Sequence, residues 1–194
     1  MPTTRTRPTL VPNDATSPSQ STAMTALYLF DALGALHALG VDDAELLRRA
    51  ASGLRFIRST STFTEADDAL FQVALADLSD RDAFVVETAA RYAADLVPNF
   101  SGIRAGTAPS RSRDRAALWL AAMLRLADGV CPSGTAAARG VYATWTDEML
   151  YLEFDGPGIT GDQLARATGR VTALEALAGR RIMLADSDTR RGAA

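Results

Sequence analysis

A chain of 194 residues with 47% apolar and 22% charged side chains can build one sizeable core, and its composition is neither disordered nor fibrous. A formal net charge of −3 supplies no general field for nucleic acid or an anionic membrane, so any polyanion site must be local. All 20 basic residues are Arg; this fits a coding bias, and it also fits a use of planar forks on phosphate or carboxylate oxygens.

Residues 1–20, dense in Pro, Thr and Ser without an apolar period, read as a tail, and they lack the apolar run of a secretory signal. From Ala23 onward the spacing of Leu27, Phe30, Leu33, Leu36 and Leu39 predicts one helix that Gly40 ends. Asp42 is placed to cap a second helix, with Asp43 and Glu45 in its first turn, Arg48 and Arg49 further along, and an apolar face of Leu46, Leu47, Ala50 and Leu54. Thr64 is placed to cap a third helix through Phe71 and Leu75. Ser79 caps a fourth, running through Phe84, Val85, Thr88, Tyr92 and Leu96 as far as Pro98. After a loop rich in Gly, Ser and Pro over 99–112, the segment 113–130 is apolar nearly all round, which predicts a central helix.

The period then changes. Val141, Ala143 and Trp145 alternate with Tyr142 and Thr144, Asp147 and Glu148 make a turn, and Met149 to Phe154 alternates again, a β-hairpin. Thr160 and Gln163 form a capping box for a helix carrying Leu164, Ala167, Val171, Leu174 and Leu177; Gly179 stops it, and the following RRIMLAD reads as a third strand. The expected class is α+β: a tail over 1–20, a helical bundle of about five helices over 21–132, a ββαβ unit over 138–186 packed on it, and a tail over 187–194.

Candidate chemistry is sparse. Cys131 has no second cysteine to pair with, and as a nucleophile it would need an electropositive pocket and a base near it, while the single histidine, His37, is distant in sequence and reads as a packed or surface residue. GTAAARG at 134–140 lacks the Gly-Lys-Ser/Thr ending of a phosphate loop and precedes a strand. Trp119 and Trp145 read as core or interface aromatics, since no basic residues interleave with them as on a stacking platform. No apolar stretch approaches the roughly 20 residues that cross a bilayer, and a cytoplasmic location is the expectation.

Several stretches, in their order and spacing, resemble the C-terminal region of the exopolyphosphatase and guanosine pentaphosphate phosphatase family. They are LYLFDALGALHALG at 27–40, LLRRAA at 46–51, Ala-Arg-Tyr at 90–92, LAAMLRLADGV at 120–130, and the closing EFDG and GRRIML. The resemblance spans 22–186 and implies a helical domain of the HD superfamily followed by a small ββαβ unit. The actin-like catalytic region that precedes it in those phosphatases has no counterpart here.

HD domains hydrolyse phosphorus esters with metals held by two His and two Asp. Where the resembled family has Leu-His-Asp-Ile-Gly, this chain has Leu54-Arg55-Phe56-Ile57-Arg58, so both ligands are replaced. Ser and Pro near Pro18 stand where a His precedes the first helix, Ser59 to Thr64 replaces a His-rich stretch, and Tyr92-Ala93 replaces Tyr-His. Asp128 alone keeps a ligand position. One carboxylate does not hold a catalytic metal, and Arg55 would oppose a dication, so no metal or other cofactor is expected.

Asp128 near a helix C-terminus stands against the dipole and calls for a cation, with Arg55 and Arg91 as the candidates. Arg55, Arg58, Arg91 and Arg125, with Arg104, Arg111 and Arg113, fall in segments that surround the metal cleft of the resembled fold. With Asp128 they are the candidate site for a phosphate polyanion. The resemblance thus implies a non-catalytic binding or regulatory domain for polyphosphate or a guanosine polyphosphate. One alternative is a phosphoric-anhydride hydrolase working with a separately encoded catalytic half. The other is a structural module that dimerises through the helix at 115–130 or the hairpin edge. Expected partners are a second copy or another protein, with neither nucleic acid nor membrane.

Overall fold

The computed structural model describes residues 18–58, 69, 71–73, 75–94, 112–131, 138–156 and 159–187. In chain order its elements are α1 (Pro18–Ala32), α2 (Gly34–His37), α3 (Val41–Arg58), α4 (Asp80–Ala93), α5 (Ser112–Val130), β1 (Gly140–Trp145), β2 (Met149–Asp155), α6 (Gly161–Thr168), α7 (Thr172–Ala178) and β3 (Arg181–Asp186). The protein is α+β, a helical part followed by a small sheet, as its periodicity predicts. Thr64 and the segments 59–68 and 95–111 lie outside the described residues.

Helix α5 is the centre. Its residues Ala116 to Leu124 and Leu126 to Val130 are buried, and α1, α4, α6 and α7 all pack on it. α1 runs antiparallel to it: Thr22, in the first turns of α1, meets Cys131 just past the end of α5, while His37, beyond the end of α1, meets Trp119 in the first half of α5. α3 covers α1 and α4 with Leu46, Leu47, Ala50, Ala51, Leu54 and Ile57, a single stripe at helical spacing. Gly53 lies in that stripe because Phe71 occupies its place: a Cβ there would come within 2.3 Å of the Phe71 ring. Ser79 caps α4, accepting a hydrogen bond from the Asp82 N–H, as its position predicts.

The sheet order is β1-β2-β3, with β1 and β2 antiparallel and β2 and β3 parallel. Val141, Ala143, Leu150, Leu152, Phe154 and Ile182 turn one face inward, and α1 reaches β1 while α6 reaches β3. The hairpin turns at Asp147 and Glu148, and the Thr160/Gln163 capping box opens α6 with both of its hydrogen bonds present.

The helix boundaries depart from expectation at three places. The predicted single helix over 23–39 begins at Pro18 and is interrupted at Leu33, and Ala38 at φ 55°, rather than Gly40, ends its short continuation α2. Helix α3 begins one residue before Asp42, and Asp43 takes the capping part by accepting the Gly40 N–H at 2.9 Å. The helix after Thr160 stops at Thr168, turns through Gly169 and Arg170, and resumes as α7, so the unit is ββααβ; Gly179, at φ 64°, ends α7 as predicted.

His37 holds the α1–α2 corner. It is 2% exposed, its Nε2 hydrogen-bonds the Phe30 carbonyl at 2.8 Å and its Nδ1 accepts the Leu39 N–H at 2.8 Å, which fixes the neutral tautomer protonated on Nε2. Its ring packs against Phe30 and meets Trp119 edge-on. Burial pushes the imidazole pKa down; the Phe30 carbonyl and the carboxylates of Asp43 and Asp31 oppose this, and Arg115 adds to it. Below the ordinary value of 6.5 the unfolded chain therefore takes up a proton that the folded chain refuses. Stability is level in this respect above about pH 6.5 and falls as pH drops toward the folded-state pKa. Asp31, whose carboxyl is raised by burial, acts with the opposite sign but in the carboxylate range. Urea unfolding from pH 8 to 5.5 is expected to show this loss in the wild type and a smaller one in His37→Gln; equal slopes would refute it.

Candidate functional site

The end of α5 is built from four elements. Asp128 lies on its last turn, 8% exposed, and accepts a hydrogen bond from Arg170 Nη1 at 2.5 Å. Arg170 stands in the α6–α7 turn, so the break in that predicted helix is what delivers the guanidinium. The two helices meet here without a side chain between them: a Cβ on Gly129 would lie 2.8 Å from the Ala167 Cα and 3.2 Å from Arg170 Cδ. Arg125 sits one helical turn before Asp128 and is half-buried.

On the other side, α1 closes the helix end. Thr22 Oγ1 donates to the Cys131 carbonyl at 3.2 Å, and Thr25 Oγ1 lies 3.2 Å from the Cys131 sulfur and accepts the Ala138 N–H at 3.3 Å. Two threonines from the first helix thus satisfy polar groups at the exit of α5 and at the entry to β1. Burial raises the Cys131 thiol pKa, with the Thr25 hydrogen bond acting the other way. A buried thiol held mostly protonated is a packing residue, in keeping with its poor prospects as a nucleophile.

The predicted site residues are distributed as follows. Asp128 has a guanidinium partner, as its dipole position required, but the one the structure describes is Arg170, where Arg55 and Arg91 were the candidates. Arg91 pairs with Glu87, one turn back on α4, at 2.9 Å. Arg55 and Arg58 fall on α3, with side chains outside the described residues, as are Arg104, Arg111 and Arg113. Arg125 and Asp128 are adjacent on α5. Sequence reasoning missed Arg170, Thr22, Thr25 and Gly129.

Chemically, a carboxylate bound to a guanidinium has its charge already offset, so it is a poor cation ligand until the Arg moves. Arg170 spends Nη1 on Asp128 and makes no other side-chain hydrogen bond among the described residues, leaving Nε and Nη2 of a partly exposed fork. Among the described residues no three His, Cys, Asp or Glu side chains group as metal ligands, and no helix is long and apolar enough to cross a membrane. No protein-family model matches the chain, and no curated protein matches it.

Proposed function

We propose that this chain is a non-catalytic, regulatory domain of HD-like type that binds a phosphate polyanion, polyphosphate or a guanosine polyphosphate, through Arg side chains near Asp128. The supporting observation is the Asp128–Arg170 pair: at the position that resembles the last metal ligand of an HD hydrolase, the carboxylate carries an Arg instead. The pair orients a fork whose remaining donors suit phosphate oxygens, and Arg125 lies one helical turn before Asp128 on α5. Arg55, Arg58 and Arg91, the candidates from the sequence, belong to the same reading, as do a cytoplasmic location and a partner protein.

Thermal unfolding with and without polyphosphate, guanosine polyphosphates and divalent metals tests it. A ligand at about 100 times its dissociation constant adds about 2.7 kcal/mol, or roughly 5–10 °C in Tm for a chain of this size. The shift is expected with phosphate compounds, is lost in Arg125→Ala and is kept in Arg48→Ala, whose guanidinium pairs with Glu45 on exposed surface. No shift with any phosphate compound would sink the reading; metal-dependent phosphate release would favour the hydrolase instead.

A further inference from the structure

The corner between α1 and α3 hangs on one buried side chain. From Gly34 to Glu45 every residue is exposed or half-buried except His37, and Leu36 and Leu39 rest on the core only in part. The backbone there is held in a conformation that a side chain resists: Ala38, at φ 55°, is the one left-handed residue other than glycine among the described residues. Across Ala38, the Nδ1 of His37 accepts the Leu39 N–H at 2.8 Å, a side-chain bond from one residue to the second after it that closes the turn.

An imidazole fills this post only while Nδ1 keeps its lone pair. Nε2 already directs its hydrogen at the Phe30 carbonyl, so an added proton goes to Nδ1. The cation then sets an N–H against the Leu39 N–H, in a place only 2% exposed, where a charge without a bonded counter-ion is costly. The charged groups that bear on the ring are Asp31 from α1, Asp43 from α3 and Arg115 from α5; α2 adds none. The two carboxylates favour the cation, yet the ring nitrogens bond to Phe30 and Leu39 rather than to them, and Asp43 is engaged with the Gly40 N–H.

We propose that the α1–α3 corner is a pH-sensitive latch with His37 as its pin: a proton on Nδ1 ends the hold on the Leu39 N–H, and residues 34–40 come away from the core while α1, α3 and α5 stay packed. Once the corner is open, the imidazole titrates near its ordinary value of 6.5. Above that pH the closed corner keeps its full advantage. Below it the open form takes up a proton that the closed form refuses, and the open fraction rises by up to about tenfold per pH unit. The long helices have other anchors: α3 is buried through Leu46, Leu47, Ala50 and Leu54, and α1 is tied to the end of α5 through Thr22 and Thr25. The latch is independent of the proposed phosphate site, since His37 meets the first half of α5 and Asp128 lies on its last turn.

Amide hydrogen exchange from pH 8 to 5.5, corrected for intrinsic rates, reads the latch at Leu39. In the wild type, protection at Leu39 is expected to fall by up to about tenfold per unit below about pH 6.5, and to stay at least about 100-fold below that of Leu120 to Leu124 throughout. His37→Asn places an amide oxygen near the position of Nδ1, where it can accept the Leu39 N–H without titrating. Its Leu39 protection is expected to be level over the same range. Three results each overturn the proposal: wild-type protection at Leu39 that ignores pH, protection equal to that of α5 at every pH, so that the corner opens only with the whole fold, or an equally steep fall in His37→Asn. If the Asn variant does not fold, the first two results still decide on the wild type alone.

Discussion

Truncating Trp119 to Ala is expected to remove about 3–5 kcal/mol of stability, a fall in Tm of roughly 6–20 °C for a domain of this size. The indole is 1% exposed on the central helix and meets the edge of His37, which in turn packs on Phe30. Its loss opens a cavity where α5 adjoins the α1–α2 corner. Collapse into that cavity is resisted because α1 and α5 are also tied at the far end, through Thr22, Thr25 and Cys131. The companion variant Trp119→Phe separates volume from polarity. Among the described residues the buried indole Nε1–H has no hydrogen-bond partner, so replacing it by an apolar ring relieves an unmet donor worth about 1–3 kcal/mol and offsets much of the lost area. Urea unfolding should place Trp119→Phe within about 1.5 kcal/mol of wild type. If Phe destabilises as much as Ala, the N–H is satisfied after all and this account fails.

Substitution of Gly129 comes second in size. Two effects of opposite sign compete in Gly129→Ala. Alanine is the better helix former by about 1 kcal/mol, yet its Cβ would meet the Ala167 backbone at 2.8 Å, a contact that no rotamer change can relieve. Overpacking of this kind costs typically 1–3 kcal/mol, so the net effect is a loss. Gly129→Val, with two further methyl groups and a stiffer side chain, is expected to lose about 3 kcal/mol or more. Because Arg170 Cδ also lies within 3.2 Å of the new Cβ, pushing α6 away also loosens the Arg170–Asp128 bond. Thermal unfolding checks the order wild type, Ala, Val. A neutral or stabilised Ala variant would mean that the two helices part without cost.

What could be read in advance divides by range. Ser79, the Thr160/Gln163 box, Gly179 and the hairpin are local devices whose residues bond within a few positions of one another, and each appears where its pattern predicted. The apolar circumference of α5 likewise announced its central place. The interruptions at Leu33 and at Gly169–Arg170 did not register, because apolar spacing of 3 and 4 continues across each turn and the signal reports a face rather than an unbroken axis. Asp128 was legible as a carboxylate against a dipole that would need a cation. The bond from Arg170 was not, since Arg170 lies 42 residues on and is aimed by a break that itself went unpredicted. The same holds for Thr22 and Thr25, ordinary helix residues until α5 arrives more than 100 positions later, at |i−j| of 109 and 106.

The threonine seam also bears on how the thiol of this protein meets oxidants. Cys131 is the chain's one sulfhydryl, shut in by α1 and disfavoured from ionising. Peroxide or an alkylating reagent must wait for the fold to open around Cys131, and so must any disulfide to a second molecule. Thiol chemistry in this molecule is therefore gated by a breathing motion, and its rate measures how often the fold opens around Cys131.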